Sequence, residues 1–122
     1  KTGAGEFEIV GPFDFPFAIE CKAHESFDYS QLFRVPVTGP FDSFWAQALR
    51  QAEAAEKAPL LIFKRNNGPV LAALNWKGFW PLLAASGVDS IHNLLRLYDY
   101  DCVVVPIEVL FKISPLSLYE VR

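Results

Sequence analysis

The chain has 122 residues, a net charge of −3 and a hydrophobic content of 52%. These values suit one compact domain and argue against a disordered or membrane-embedded chain. No apolar run approaches the roughly 20 residues that a transmembrane helix needs, and no secretory signal pattern is visible, so we expect a cytoplasmic protein. The acidic net charge argues at first sight against a nucleic-acid partner, although residues 44–77 hold five basic and two acidic residues.

The two cysteines, Cys21 and Cys102, each lie in an apolar, strand-like segment. A disulfide framework or a zinc site needs more cysteines at closer spacing. We therefore expect both thiols to be reduced residues of the core.

The N-terminal third predicts two strands and a loop. Residues 6–10 alternate in polarity and predict a short strand, and the GPFDFP turn leads into a second strand over residues 15–23. The segment that follows, SFDYSQLFRVPVTGPFD (residues 26–42), is rich in aromatic residues, proline and glycine. We expect it to be a loop without regular structure, and loops of this length often carry function.

A helix is predicted from a cap at Asp42 or Ser43 to about Lys57. Its buried face is given by apolar residues at helical spacing, namely Trp45, Ala48, Leu49 and Ala52. The three tryptophans, Trp45, Trp76 and Trp80, are expected to anchor the core.

The second half predicts further strands and helices. Residues 58–66 and 70–74 form a hairpin across the NGP turn, residues 78–86 form a helix broken at Pro81, and residues 89–97 form a helix that contains a structural His92. Residues 102–113 favour a strand, in which Pro106 indicates a sheet edge or a break. The order of elements predicts an α/β domain with a small mixed β-sheet flanked by helices.

The stretch FAIECKAH (residues 17–24) places charges on an otherwise apolar strand. Since side chains of a strand alternate between its faces, Glu20 and Lys22 share one face. A carboxylate can hold a hard divalent cation, and a neighbouring lysine can orient a water molecule or stabilise charge on a phosphate. Taken alone, however, an E-x-K tripeptide is most often a solvated surface ion pair.

The order of FAIECK, the helical WAQALRQAE and the strand PLLIFKRN resembles the PD-(D/E)XK nuclease superfamily, and in particular small phage-type endonucleases and resolvases of Holliday junctions. The resemblance covers about residues 3–83, and residues 84–122 are expected to elaborate the same single domain. It implies a restriction-endonuclease-like core and Mg²⁺- or Mn²⁺-dependent hydrolysis of DNA phosphodiester bonds, with branched DNA as one candidate substrate. It also implies a homodimer in the cytoplasm of a bacterium or a phage-infected host.

The resemblance implies a metal site on the E-x-K strand. Glu20 and the backbone carbonyl of Cys21 would bind the metal ion, and Lys22 would position the water molecule. A second acid is expected from the preceding strand, and two residues can fill that place. Glu8 fits the expected order of residues, whereas Asp14 lies in the turn only six residues before Glu20.

Further roles follow from the resemblance. A glutamine of the helix after E-x-K supports the active site in this family, and Gln47 or Gln51 can take that role, Gln51 also being a candidate DNA contact. Lys64 and Arg65 are expected to lie near the DNA backbone. His24 would share the face of Lys22 if the strand continued, and would then contact phosphate; otherwise it is a polar residue at the strand end.

Three alternatives stay open from the sequence. The domain could bind DNA without cutting it, which applies if neither Glu8 nor Asp14 faces Glu20. It could bind a protein, which the acidic net charge and the aromatic loop of residues 27–44 favour. It could also cut RNA, because the metal chemistry does not distinguish the two sugars.

Overall fold

The computed structural model describes residues 17–86 and 93–112. The strands are β1 (Phe17–Ala23), β2 (Ala58–Lys64), β3 (Leu71–Asn75), β4 (Leu95–Leu97) and β5 (Cys102–Pro106). The α-helices are α1 (Phe41–Ala55), α2 (Trp76–Ser86) and α3 (Ile107–Lys112), and 3-10 helices span Tyr29–Phe33 and Tyr98–Tyr100. None of the helices within these ranges is long and apolar enough to cross a membrane.

The five strands form one mixed sheet in the order β1-β2-β3-β5-β4. β1 and β2 are parallel, because α1 carries the chain back between them, and the other neighbouring pairs are antiparallel. Helices pack on the sheet, so the predicted α/β fold with a small mixed sheet flanked by helices is confirmed. β5 lies inside the sheet and β4 forms the edge opposite β1.

The sheet separates two apolar cores. The first, on the side of α1, combines that helix and the 3-10 helix Tyr29–Phe33 with sheet residues that include Leu61, Phe63 and Val104. The second, on the side of α2 and α3, includes Phe17, Leu60, Ile62, Phe79 and Val109.

The two cysteines confirm the expectation of free, buried thiols. Cys21 belongs to the core on the α2 side, and Cys102 to the core on the α1 side. Burial raises the pKa of Cys102 to about 12, because the thiolate would lose its hydration. This thiol therefore stays protonated at neutral pH.

The aromatic segment between β1 and α1 is more ordered than predicted. It contains the 3-10 helix Tyr29–Phe33, and the side chain of Gln31 holds the segment together. Its Oε1 accepts a hydrogen bond from the backbone N–H of Asp28 at 3.0 Å, and its Nε2 donates to the carbonyl of Ser26 at 3.2 Å. The expectation of a loop without regular structure was therefore wrong, because Gln31 satisfies backbone groups that a bare loop would leave to water.

Helix α1 begins slightly earlier than predicted. Pro40 takes the capping position, while Asp42 and Ser43 lie in the first turn, where the Ser43 hydroxyl donates to the carbonyl of Pro40 at 3.0 Å. Trp45, Ala48 and Ala52 are buried as predicted, together with Phe41 and Phe44. Leu49 is exposed, because it lies about 100° around the helix from Ala48 and so falls outside the buried stripe.

In the second half, the predicted hairpin of β2 and β3 is confirmed. Helix α2 continues through Pro81, in the middle of its eleven residues, so the predicted break was wrong. The proline removes one backbone hydrogen bond, and the rest of the helix is kept by packing on the sheet, where Phe79 and Leu82 are buried. Residues 95–97 form β4 and not the end of a helix, because pairing with β5 outweighs local helix propensity. Pro106 ends β5 before α3, so it marks a break, whereas the alternative of an edge strand was wrong.

Several sequence predictions lie outside the described residues. These are the strand of residues 6–10, the turn after it, the first residues of the strand predicted over 15–23, the start of the helix predicted over 89–97, and His92. Of the tryptophans, Trp45 is buried and Trp76 packs against the core, as predicted. Trp80 is 56% exposed, so its assignment to the core was wrong.

Candidate active site

The charged pair on β1 lies under helix α1. Glu20 aligns with Leu61 and Lys22 with Phe63 in the parallel ladder of β1 and β2. Aligned residues of neighbouring strands point to the same side, and both partners belong to the core on the α1 side. Glu20 and Lys22 therefore share the α1 face of the sheet, as the alternation of the sequence predicted.

The two side chains form an ion pair that is largely shielded from water. Nζ of Lys22 lies 3.2 Å from Oε2 of Glu20, and the side chains are 12% and 10% exposed, respectively. Removing two charges from water costs free energy that their mutual attraction often fails to recover. Replacement of such a pair by apolar residues of similar volume is often neutral or stabilising, so the pair is weak evidence for a role in stability.

The position of His24 shows which side of α1 faces β1. The rings of His24, just after β1, and Phe44, in the first turn of α1, have centroids 6.2 Å apart. On the opposite side of the helix, the Tyr100 hydroxyl donates a hydrogen bond to Oδ1 of Asp42 at 3.0 Å. The Phe44 side of α1 is thus directed to β1, and its Asp42 side to the turn between β4 and β5.

The two candidate glutamines lie on the β1 side of α1. Gln47 and Gln51 follow Phe44 by three and seven residues, which keeps all three on one side of the helix. The helical rise places Gln47 about 4.5 Å and Gln51 about 10.5 Å beyond Phe44. Because α1 runs antiparallel to β1, this direction leads from His24 back along β1 towards Lys22 and Glu20. Gln47 is half-buried and Gln51 is exposed.

His24 lies beyond the end of β1 and is exposed. Its Nδ1 lies 3.1 Å from the backbone nitrogen of Ser26, whose N–H it accepts, and 2.7 Å from Oγ of the same residue. β1 ends at Ala23, so His24 does not continue the strand and does not share the face of Lys22. His24 instead holds the turn that follows β1.

The two basic residues after β2 lie at the same end of the sheet as His24. The backbone N–H of His24 donates to the carbonyl of Lys64 at 3.1 Å. By alternation from Phe63, the half-buried Lys64 belongs to the face opposite Lys22, and Arg65 is exposed in the turn. They lie near the end of β1 but are not part of the Glu20–Lys22 pair.

The described residues supply part of a metal site. The carboxylate of Glu20 is a hard oxygen ligand of the kind that Mg²⁺ or Mn²⁺ prefers. Glu8 and Asp14 lie outside the described residues, and within residues 17–86 and 93–112 no group of three His, Cys, Asp or Glu residues could hold a metal ion. The side chain of Cys21 is buried on the opposite face, so only its backbone carbonyl is a candidate ligand.

Sequence reasoning missed a stack of planar groups at the β4 edge. The guanidinium of Arg96 lies 4.6 Å from the ring centroid of Trp76 and 4.9 Å from that of Tyr98, and Trp80 stacks on Trp76 at 6.0 Å. The alternating polarity of Leu95–Leu97 is compatible with a strand that places Arg96 beside Trp76. The helical spacing of the preceding residues led instead to the prediction of a helix over residues 89–97.

Comparison with known proteins supports one family. The family described as "Phage putative PDDEXK endonuclease" matches residues 4–113 of the chain. No curated protein and no solved structure gives a significant match. PDDEXK nucleases generally use divalent metal ions, and their name implies a nucleic-acid substrate. Because the match covers most of the sequence and includes the E-x-K strand, the chain belongs to this phage PDDEXK endonuclease family.

Proposed function

We propose that the protein is a metal-dependent DNA endonuclease with its active site on the α1 face of β1. The observation that carries this proposal is the shielded Glu20–Lys22 ion pair, with Nζ and Oε2 3.2 Å apart, on the E-x-K strand of a chain that belongs to a phage PDDEXK family. Such a pair costs stability and suits catalysis, as active sites frequently do.

The metal site would combine described and undescribed residues. Glu20, the carbonyl of Cys21 and an acid from residues 1–16 would hold Mg²⁺ or Mn²⁺. Glu8 is the first choice for that acid, with Asp14 as the alternative. β1 is the outermost described strand on its side of the sheet, which agrees with a preceding strand that carries the acid. A bound divalent ion would supply Lewis-acid stabilisation of charge on the phosphate oxygens.

The protein side chains would position the reactants. In hydrolysis, a water oxygen forms a bond to phosphorus, the water gives up a proton, and the bond from phosphorus to the leaving oxygen breaks, after which that oxygen is protonated. The Lys22 ammonium would orient the water and offset negative charge on the phosphate. Gln47 or Gln51, on the β1 side of α1, would support the active site through the amide group of its side chain.

Phosphate contacts would come from the end of the sheet where β1 and β2 finish. Lys64 and Arg65 lie there, and Arg65 is exposed. Each phosphate neutralised by a cation makes the affinity for DNA fall with salt concentration. A homodimer would present two active sites to two DNA strands, and the resemblance to junction resolvases makes branched DNA the substrate to compare with linear duplex.

Cleavage assays test the proposal. Branched and linear DNA are incubated with the protein and Mg²⁺ or Mn²⁺, with EDTA as the metal-free control and labelled RNA as a competing substrate. We expect cleavage of DNA that EDTA abolishes and that Glu20→Ala and Lys22→Ala each lower by about 10²- to 10⁴-fold. The matched controls Glu53→Ala and Lys57→Ala change exposed residues of the same types and should cut normally.

Two results would contradict the proposal. Absence of cleavage by the wild type on every DNA with either metal would favour a DNA-binding module without catalysis. Cleavage of RNA in preference to DNA would assign the same active site to a ribonuclease. Sedimentation of the wild type with and without DNA tests the dimer separately.

A further inference from the structure

A groove at the β4 edge lies far from the Glu20–Lys22 pair. It has a volume of about 320 Å³ and lies between the aromatic segment before α1 and the strand β4. Four strand spacings separate β1 from β4, which amounts to about 19 Å. The active site proposed above makes no use of this groove.

The wall of the groove combines exposed aromatic and cationic side chains. Phe33 is 71% exposed and Tyr98 is 79% exposed, and both line the groove with Arg34, Arg96 and Asp99. A second cavity of about 330 Å³ adjoins it and shares the Phe33 wall. Exposed apolar side chains that lie together, as Phe33, Val35 and Tyr98 do in this groove, mark binding surfaces, whereas singly scattered ones are ordinary.

Arg96 holds the Tyr98 ring in a fixed orientation. Its guanidinium lies between the rings of Trp76 and Tyr98, at 4.6 and 4.9 Å from their centroids, and its Nη2 donates to Oδ1 of Asp101 at 2.9 Å. Its Nη1 is buried, and no hydrogen-bond partner for it lies among the described residues. The groove wall thus offers a planar ring on a charged support.

We propose that this groove binds one unpaired nucleotide, whose base stacks on Tyr98 and Phe33 and whose phosphate is attracted by Arg34. Aromatic rings beside arginines are the usual platform for unpaired bases, because every base has a π-face and every nucleotide a phosphate. The volume suits a single nucleotide rather than a duplex. The proposal rests on the proposed function in that nucleic acid is the substrate, and it identifies DNA with unpaired nucleotides as the preferred form.

The groove is also lined by one acidic residue, Asp99, so the proposal predicts opposite effects on binding for an acidic and a basic side chain. Asp99 lines the groove and would repel a phosphate, whereas Arg34 would attract it. Arg34→Gln should therefore weaken binding and Asp99→Asn should tighten it. A purely apolar docking surface for a protein would respond weakly to either change.

Fluorescence anisotropy with a labelled oligothymidylate of about ten nucleotides tests the proposal, in EDTA so that no cleavage occurs. We expect Tyr98→Ala to weaken binding by roughly five- to hundred-fold, and Tyr98→Phe to keep it, because stacking needs the ring and not the hydroxyl. An abasic oligonucleotide should bind the wild type as weakly as Tyr98→Ala binds the intact one. The affinity of the abasic oligonucleotide should fall little further when Tyr98 is changed to Ala. Arg50→Gln, an exposed arginine of α1, is the control for Arg34→Gln.

The outcomes separate this proposal from the endonuclease assignment. Equal binding of the oligonucleotide by wild type and Tyr98→Ala, or equal binding of the intact and abasic strands by the wild type, would overturn the nucleotide site. If Tyr98→Ala instead changed only the sedimentation of the protein, the groove would be a protein-docking surface. Metal-dependent cleavage by the wild type is measured separately, so failure of the nucleotide site and failure of the endonuclease proposal give different results.

Discussion

Two ion pairs lie at opposite edges of the sheet and differ in their exposure to water. Glu20 and Lys22 are 3.2 Å apart on β1, with side chains about one-tenth exposed, whereas Arg96 and Asp101 are 2.9 Å apart and the Asp101 side chain is 63% exposed. In the β4 pair Asp101 keeps most of its hydration and orients Arg96, whose side chain is 20% exposed, beside two rings. The shielded pair loses hydration on both charges, and the residues of β2 aligned with it, Leu61 and Phe63, are apolar.

The difference in exposure and packing indicates which of the two ion pairs has a structural role. An arginine held between Trp76 and Tyr98 contributes packing as well as charge, so the β4 pair has a structural explanation. The β1 pair has none of comparable strength, and it lies on the strand that carries the family motif. Its retention is best explained by chemistry at the β1 edge.

The largest expected effect on stability separates the two pairs directly. Lys22→Met leaves the Glu20 carboxylate shielded without its cation, and should lower the free energy of unfolding by about 3–5 kcal/mol. Asp101→Asn, at a position with φ of 50° that asparagine tolerates, should lower it by no more than about 1 kcal/mol. Urea denaturation of both variants measures the contrast, and equal losses would contradict the distinction drawn between the pairs.

A smaller effect is expected in the aromatic segment that borders the groove. Gly39 has a φ of 79°, and an added Cβ would overlap Oε1 of Gln31. Gly39→Ala should therefore lower the free energy of unfolding by about 1–3 kcal/mol, while folded molecules keep their rate of duplex cleavage. Thr38→Ala, at the exposed neighbouring position, is the control and should change stability by less than about 0.5 kcal/mol.

The smallest effect concerns the hydrogen bond that joins the β4 edge to α1. Tyr100→Phe removes the bond to Asp42 and should cost about 0.5–1.5 kcal/mol. Partial burial, with the Asp42 carboxylate as a further cause, raises the pKa of Tyr100 from 10.0 to about 12. Because the folded state keeps the proton longer, this stabilisation is complete below pH 10 and is lost as the pH rises to about 12.

Denaturation at several alkaline pH values checks this prediction. Wild type should lose stability between pH 10 and 12 more steeply than Tyr100→Phe, because the variant lacks the titrating hydroxyl. Tyr98→Phe changes an exposed tyrosine of the same turn and should follow the wild type. A Tyr100→Phe profile parallel to that of the wild type would show that this hydroxyl does not set the alkaline limit.

Much of the fold was predictable from the sequence because local signals agreed with it. The strand β1, the hairpin of β2 and β3, and most of the buried face of α1 follow from polarity alternation, turn residues and helical spacing. Long-range pairing was not predictable in the same way. β4 has only three residues and forms because β5 lies beside it, which a local pattern does not reveal.

The candidate active site was predictable where it depends on neighbours in sequence. Glu20 and Lys22 share a face because they are two residues apart on a strand, and the structure places them in contact. The groove at the β4 edge was not predictable, because Phe33 and Tyr98 are brought together only by the folded chain. Gln31, which orders the aromatic segment, gave no signal, since a single glutamine in a loop is ordinary.

The measurement that tests the central claim most directly is the single-turnover cleavage rate of the Glu20→Gln/Lys22→Met double variant, measured beside its free energy of unfolding. Replacing both charges avoids the unpaired, shielded carboxylate that Lys22→Met alone would leave, so the double variant should have a higher free energy of unfolding than Lys22→Met. The account predicts a well-folded protein that has lost cleavage by about 10²-fold or more. A stable double variant that cuts DNA at the wild-type rate would contradict it, and the Glu20–Lys22 pair would then not be the active site.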